Sequence, residues 1–132
     1  MAVPYTEGVE LVKEIKPPSI NTIKYDELLK GEIQSISNNE LIMYKPRWGA
    51  FYQTNLEIFL RKLNINTIVF TGCNFPNCPR TSIYEASERD FRIVLIEDAV
   101  SGIYKKGVDE LKNIGVNVLF TRQFINQITR LD

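Results

Sequence analysis

Three short apolar, β-branched runs alternate with stretches of helical period in the second half of the chain, and this alternation limits the fold more than any other feature. TIVFTG (67–72) predicts a strand over 67–71, buried on both faces. RIVLIED predicts a second over 92–97 and VNVLF a third over 116–120. RTSIYEASERD fills the first interval with helix-forming residues. In the next interval Ser101 is placed to cap a helix over 102–113, and Gly115 lies just past its end. Phe124, Ile125, Ile128 and Leu131 mark a last helix.

Upstream, Tyr52, Leu56, Phe59, Leu60 and Leu63 recur at amphipathic spacing. LIMYK predicts a strand over 41–45, ended by Pro46. Val9, Val12 and Ile15 share a helix face that Pro17-Pro18 stops. DELLKGEIQSIS holds a turn or two of helix, broken near Gly31. Strands and helices in strict alternation imply an α/β protein, a three-layer α-β-α arrangement with a mainly parallel sheet.

A chain of 132 residues suits one domain over 1–132 with a single core. Formal net charge is zero, so nothing marks a nucleic-acid partner. No apolar stretch is long enough to cross a membrane, and the start lacks the pattern of a signal peptide. Two cysteines are too few for a disulfide framework, and the expected compartment is the cytosol. The chain contains no histidine. That excludes Ser-His and Cys-His dyads within the chain, and histidine metal sites.

The corner TGCNFPNCPRTS (71–82) follows the 67–71 strand. In open parallel sheets, sites lie beyond the carboxyl ends of strands. Pro79 fits the first position of the next helix, which puts Cys78 at or beside its N-cap. Unpaired N–H groups and the helix dipole there favour a thiolate, and Arg80 adds to this if it points inward. The alternative is that Cys78 is a small buried hydrophobe. Cys73, at the strand end, reads as structural, and the CxxxxC spacing argues against a redox pair. A phosphatase-like loop is rejected: Cys73 and Arg80 are one residue too far apart, and Pro79 has no N–H for the anion. Lys45 falls at the end of its own strand, where it either assists a thiolate or is simply solvated.

Taken together these residues resemble the isochorismatase-like cysteine hydrolases. The stretch carries Lys45 and Ala50-Phe51 with four residues between them, then Thr54-Asn55-Leu56, Gly72 and Cys78 with five between them, and Asp98-Ala99 after the next strand. The resemblance implies a parallel sheet of order 3-2-1-4-5-6 and a triad of Asp, Lys and Cys. It makes Cys78 the nucleophile and Lys45 the triad lysine. It assigns the backbone N–H groups of Asn74 and Cys78 to an oxyanion hole, with Cys73–Asn74 as a cis peptide. It also implies a small amide-like or carbamoyl substrate, hydrolysis through a thioester, and no cofactor. Relatives that bind zinc do so through histidines, so no metal is expected. Trp48, Phe51 and Phe75 either wall the substrate pocket or belong to the core.

Two features depart from the family pattern. Phe75-Pro76 stands where many relatives have T-N or T-D, and no apolar strand ending in aspartate precedes Lys45. The sequence therefore resembles the family without its first third, with the 67–71 strand left open along one edge. This implies a homo-oligomer that covers the edge. It also keeps a second reading in view, a non-catalytic binding or assembly module without the triad aspartate. A thiol redox protein using Cys73 and Cys78 is a third.

Overall fold

A computed structural model of the chain describes residues 6, 11, 13, 14, 16 and 22–130. The helix expected around Val9, Val12 and Ile15 lies outside the described residues. The rest divides into two compact units, separated between Tyr44 and Lys45.

In the first unit, α1 (Tyr25–Leu29) is followed by β1 (Ile33–Ser35) and β2 (Leu41–Met43). Gly31, at φ +88°, turns the chain out of the helix into β1, in a backbone region that glycine enters without steric cost. β1 and β2 pair antiparallel, Ile33 opposite Met43 and Ser35 opposite Leu41. This corrects the expectation for 41–45: β2 is shorter, and its partner is β1, not a strand of the parallel sheet. The cause is local. Ile36 N–H donates to the Glu40 carbonyl at 2.8 Å, and the Ser37 hydroxyl to the Glu40 carboxylate at 3.0 Å. So short a connection joins antiparallel neighbours, whereas a parallel pair needs a long crossover.

The second unit carries α2 (Leu56–Lys62), β3 (Thr67–Gly72), α3 (Cys78–Ser87), β4 (Arg92–Val100), α4 (Lys105–Asn113), β5 (Asn117–Leu119) and α5 (Thr121–Ile128). The three strands form a parallel sheet in the order β3-β4-β5. Side chains alternate across it. Ile93 and Leu95 of β4 join Ile83 and Ala86 of α3, Leu111 of α4, Phe51, Phe75 and Phe91 in one core. Phe51 and Phe91 meet with ring centroids 5.8 Å apart.

Three local expectations change. β3 is covered on one face only: Ile68 and Phe70 pack on the core, and Val69 is exposed. β3 pairs with β4 alone among the described strands. The helix expected from Tyr52 onward begins only at Leu56. Gln53 adopts φ +51°, which breaks a helix, and the Thr54 hydroxyl bonds the Ala50 carbonyl at 2.7 Å. Ser101 does not cap α4, which starts at Lys105 after a turn with Gly102 at φ +67°.

Core and surface should respond very differently to truncation. Leu95→Ala, at a fully buried position, is expected to cost about 2–5 kcal/mol. Ile58→Ala, on the exposed face of α2, should stay within about 0.5 kcal/mol. Urea unfolding of the two variants checks this.

Candidate active site

The site forms where β3 and β4 separate at their carboxyl ends. Their pairing shifts after Phe70, so that Gly72 faces Val100. Ser101 N–H donates to the Gly72 carbonyl at 3.0 Å, and Phe75 N–H to the Ser101 carbonyl at 2.8 Å. These bonds tie the loop after β3 to the turn after β4. Gly102 is required in that turn, because a Cβ there would overlap the Asn74 amide. The Cys73–Asn74 peptide is cis.

Cys78 is the first residue of α3, with Asn77 as N-cap and Pro79 next. Cys78 thus lies beside the N-cap, as expected, and Pro79, at the second helical position, still falls where no intrahelical N–H is needed. Asn77 N–H donates to the Asn74 carbonyl at 3.0 Å. The N–H groups of Asn74 and Cys78 donate to no acceptor among the described residues. They remain available to a ligand oxygen.

Lys45 reaches this corner. Its Nζ lies 3.4 Å from Cys78 Sγ, 2.9 Å from the Arg47 carbonyl and 3.1 Å from the Trp48 carbonyl. An ammonium has three hydrogens, and here each has an acceptor. Two carbonyls of its own loop aim the third hydrogen at sulfur. Among the described residues Lys45 makes no ion pair with a carboxylate.

Arg80 does not point toward Cys78. Its guanidinium lies 2.6 Å from a Glu110 carboxylate oxygen and 2.9 Å from the Tyr104 hydroxyl, and it joins α3 to α4. Phe75 is completely buried and packs edge-on against Tyr104, with centroids 5.4 Å apart. Phe51 is also a core residue, so both aromatic rings support the site from beneath. Trp48, at 63% exposure, is the one of the three that stands open to solvent. A cavity of about 560 Å³, lined by Thr67, Phe91, Arg92 and Asn117 among others, sits at the amino ends of the same strands, away from Cys78.

Two residues beside the site were not anticipated. The Ser82 hydroxyl accepts from Ala50 N–H at 3.0 Å and donates to the Cys78 carbonyl at 2.7 Å. The Glu85 carboxylate accepts from Phe51 N–H at 2.9 Å. Their spacing from Cys78, at i, i+4 and i+7, places all three on one helix face, and that was the available signal. Asp98 serves a different purpose: its carboxylate accepts from the Thr121 N–H at 2.7 Å and the Thr121 hydroxyl at 2.9 Å. These bonds hold the Asp98 carboxyl below the usual carboxylate range, the Thr121 N–H first among the causes.

The isochorismatase domain family matches residues 3–123, and the chain belongs to that family. A probable inactive nicotinamidase of Arabidopsis thaliana is 34% identical over 77 residues, 54% of this chain and 39% of that protein. The crystal structure of N-carbamoylsarcosine amidase from Thermoplasma acidophilum superposes with a TM-score of 0.55 at 33% identity, covering 58% of this chain and 45% of the other. An isochorismatase-like hydrolase from Alkaliphilus metalliredigens shares the fold at a TM-score of 0.73 and 22% identity, covering 96% and 62%. The fold is therefore the three-layer, Rossmann-like isochorismatase-like fold. The chain spans 23–46% of the length of eight curated relatives it matches.

Asp98 generates a prediction with a definite sign. A depressed carboxyl contributes stability that is complete above the ordinary Asp value of about 3.9. It is lost as pH falls through the lower folded value. The stability difference between the wild type and Asp98→Asn should therefore be largest near neutral pH and shrink on acidification. Denaturant unfolding at stepped pH measures it.

Proposed function

We propose that the chain is a cysteine-dependent hydrolase that cleaves an amide or carbamoyl C–N bond of a small molecule. The observation that carries this reading is the 3.4 Å approach of Lys45 Nζ to a cysteine sulfur at the start of α3. The thiolate is the attacking form of a cysteine, and the Lys45 ammonium faces the sulfur across this contact.

Cys78 Sγ attacks the substrate carbonyl carbon and forms a tetrahedral adduct. The N–H groups of Asn74 and Cys78 hold the oxyanion. Collapse breaks the C–N bond, and the departing nitrogen takes a proton from Lys45. This leaves a thioester on Cys78. Water then attacks the thioester carbon, one of its protons returning to Lys45; the C–S bond breaks, the acid leaves with the other, and Cys78 is regenerated as the attacking thiolate. Trp48 flanks the substrate, and a reducing, cytoplasmic setting keeps Cys78 as a thiol.

Release of ammonia from nicotinamide and N-carbamoylsarcosine tests the reading, since solved relatives are named nicotinamidase and N-carbamoylsarcosine amidase. Cys78→Ala should lower turnover by about a thousandfold or more. Lys45→Ala should lower it by about a hundredfold. Turnover indifferent to Cys78→Ala would refute the assignment.

The alternative is a non-catalytic module of the same fold. It is favoured by the missing carboxylate partner of Lys45 among the described residues. No turnover by the wild-type chain, with Cys78 reduced and accessible, is the result it predicts.

Assembly belongs to the same proposal. β3 exposes one edge, and an unpaired apolar strand edge recruits another chain. A second copy of this chain is the proposed partner. Sedimentation at micromolar concentration should find a homo-oligomer, and a stable monomer would overturn this part.

A further inference from the structure

We infer that Ser82 and Glu85 are positioning residues that set the distance between Lys45 and Cys78. The inference rests on the reading of Lys45 and Cys78 as a working pair, and it concerns what holds the pair together.

Lys45 sits on a loop, and Cys78 sits on a helix. Nothing in the covalent chain fixes one against the other, since they are 33 residues apart. Two consecutive backbone N–H groups of the loop dock on α3. Ala50 N–H meets the Ser82 hydroxyl, and Phe51 N–H meets the Glu85 carboxylate. Ser82 is the buried polar side chain of the core, at 4% exposure. Its single hydroxyl proton goes to the Cys78 carbonyl at 2.7 Å, so the Trp48 carbonyl at 3.5 Å is only a neighbour. One hydroxyl thereby bonds the residue that carries the sulfur and the loop that carries the ammonium.

Glu85 fixes the same loop one turn further along. Its carboxylate lies directly against Gly49, where a methyl group would overlap it. The loop comes this close to α3 because residue 49 has no side chain. Upstream of that anchor, the Arg47 and Trp48 carbonyls cradle the ammonium. A shift of the 49–51 backbone moves those carbonyls, and the ammonium moves with them.

Alkylation of the full chain by iodoacetamide at neutral pH, resolved by mass spectrometry, reads this coupling without any substrate. Cys73, exposed and outside these contacts, is the internal reference. Lys45→Ala should slow Cys78 labelling by about tenfold or more. Ser82→Ala and Glu85→Ala should each slow it by about two- to tenfold, the effect of losing one positioning hydrogen bond. Ser82→Thr and Glu85→Gln keep an acceptor and should restore the rate to within about twofold. Gly49→Ala, which displaces only the end of the Glu85 side chain, should reproduce Glu85→Ala. Labelling of Cys73 should not change.

Wild-type rates in Ser82→Ala and Glu85→Ala, beside a slow Lys45→Ala, would overturn the inference and leave the catalytic reading standing. Unchanged labelling in Lys45→Ala would remove the pair itself. Failure of folded Ser82→Thr and Glu85→Gln to restore the rate would reduce both residues to a general structural role. If Ser82→Ala does not fold, as its melting curve would show, Glu85→Ala and Gly49→Ala decide the question.

Discussion

An ammonium group with two of its hydrogens on backbone carbonyls has one direction left for the third, and in Lys45 that direction is toward Cys78 Sγ. The rest of the second unit can be read as the support for this contact. A lysine side chain has four rotatable bonds and normally samples solvent. Here the Arg47 and Trp48 carbonyls restrict it, and their loop is held in turn by α3. The contact therefore links a loop, a helix and the end of a strand.

The parallel sheet supplies the place. β3 and β4 run in one register as far as Phe70 and Leu95, shift there and pair again at Gly72 and Val100, so the loops that follow them face each other. Bonds through Ser101 close the gap between those loops, and Phe75 fills the space beneath. The same aromatic ring lies against Gly107 and Tyr104, where a side chain on residue 107 would overlap it. Of the departure from the family pattern at Phe75-Pro76, Phe75 is thus taken into the core, while Pro76 is exposed.

Much of this was legible in the sequence because the signals were local. Three β-branched runs spaced by helical segments fixed a parallel α/β sheet, and Pro79 fixed the start of α3 within a residue. What escaped depends on partners that no local pattern names. The 41–43 strand took an antiparallel neighbour six to ten residues upstream because a short turn at 36–40 made that pairing accessible. Val69 is as apolar as Ile68, and only the absence of cover on one face of β3 separates them. Phe51, Phe75 and Trp48 were equivalent as aromatic residues near the site. Two turned out to be core and one exposed, according to the directions that their loops impose. Arg80 was a candidate to face the sulfur until Glu110 and Tyr104, a helix away, claimed it.

That last pairing gives α3 a second anchor. On one side Arg80 joins the first turn to α4 through a carboxylate and a phenol. On the other side Ser82 and Glu85 join it to the Lys45 loop. A helix held on both flanks within two turns of its start cannot slide along its axis without breaking contacts on both sides. Cys78 is the first residue of that helix, so its sulfur and its own N–H move as one body with it. The N–H of Asn74 belongs to the loop that Ser101 holds to the sheet. The two donors and the sulfur are therefore referenced to separate supports, the helix and the sheet, which the core beneath them joins. The proposed oxyanion site needs such fixed donors, because groups that must reorganise as charge develops stabilise it less.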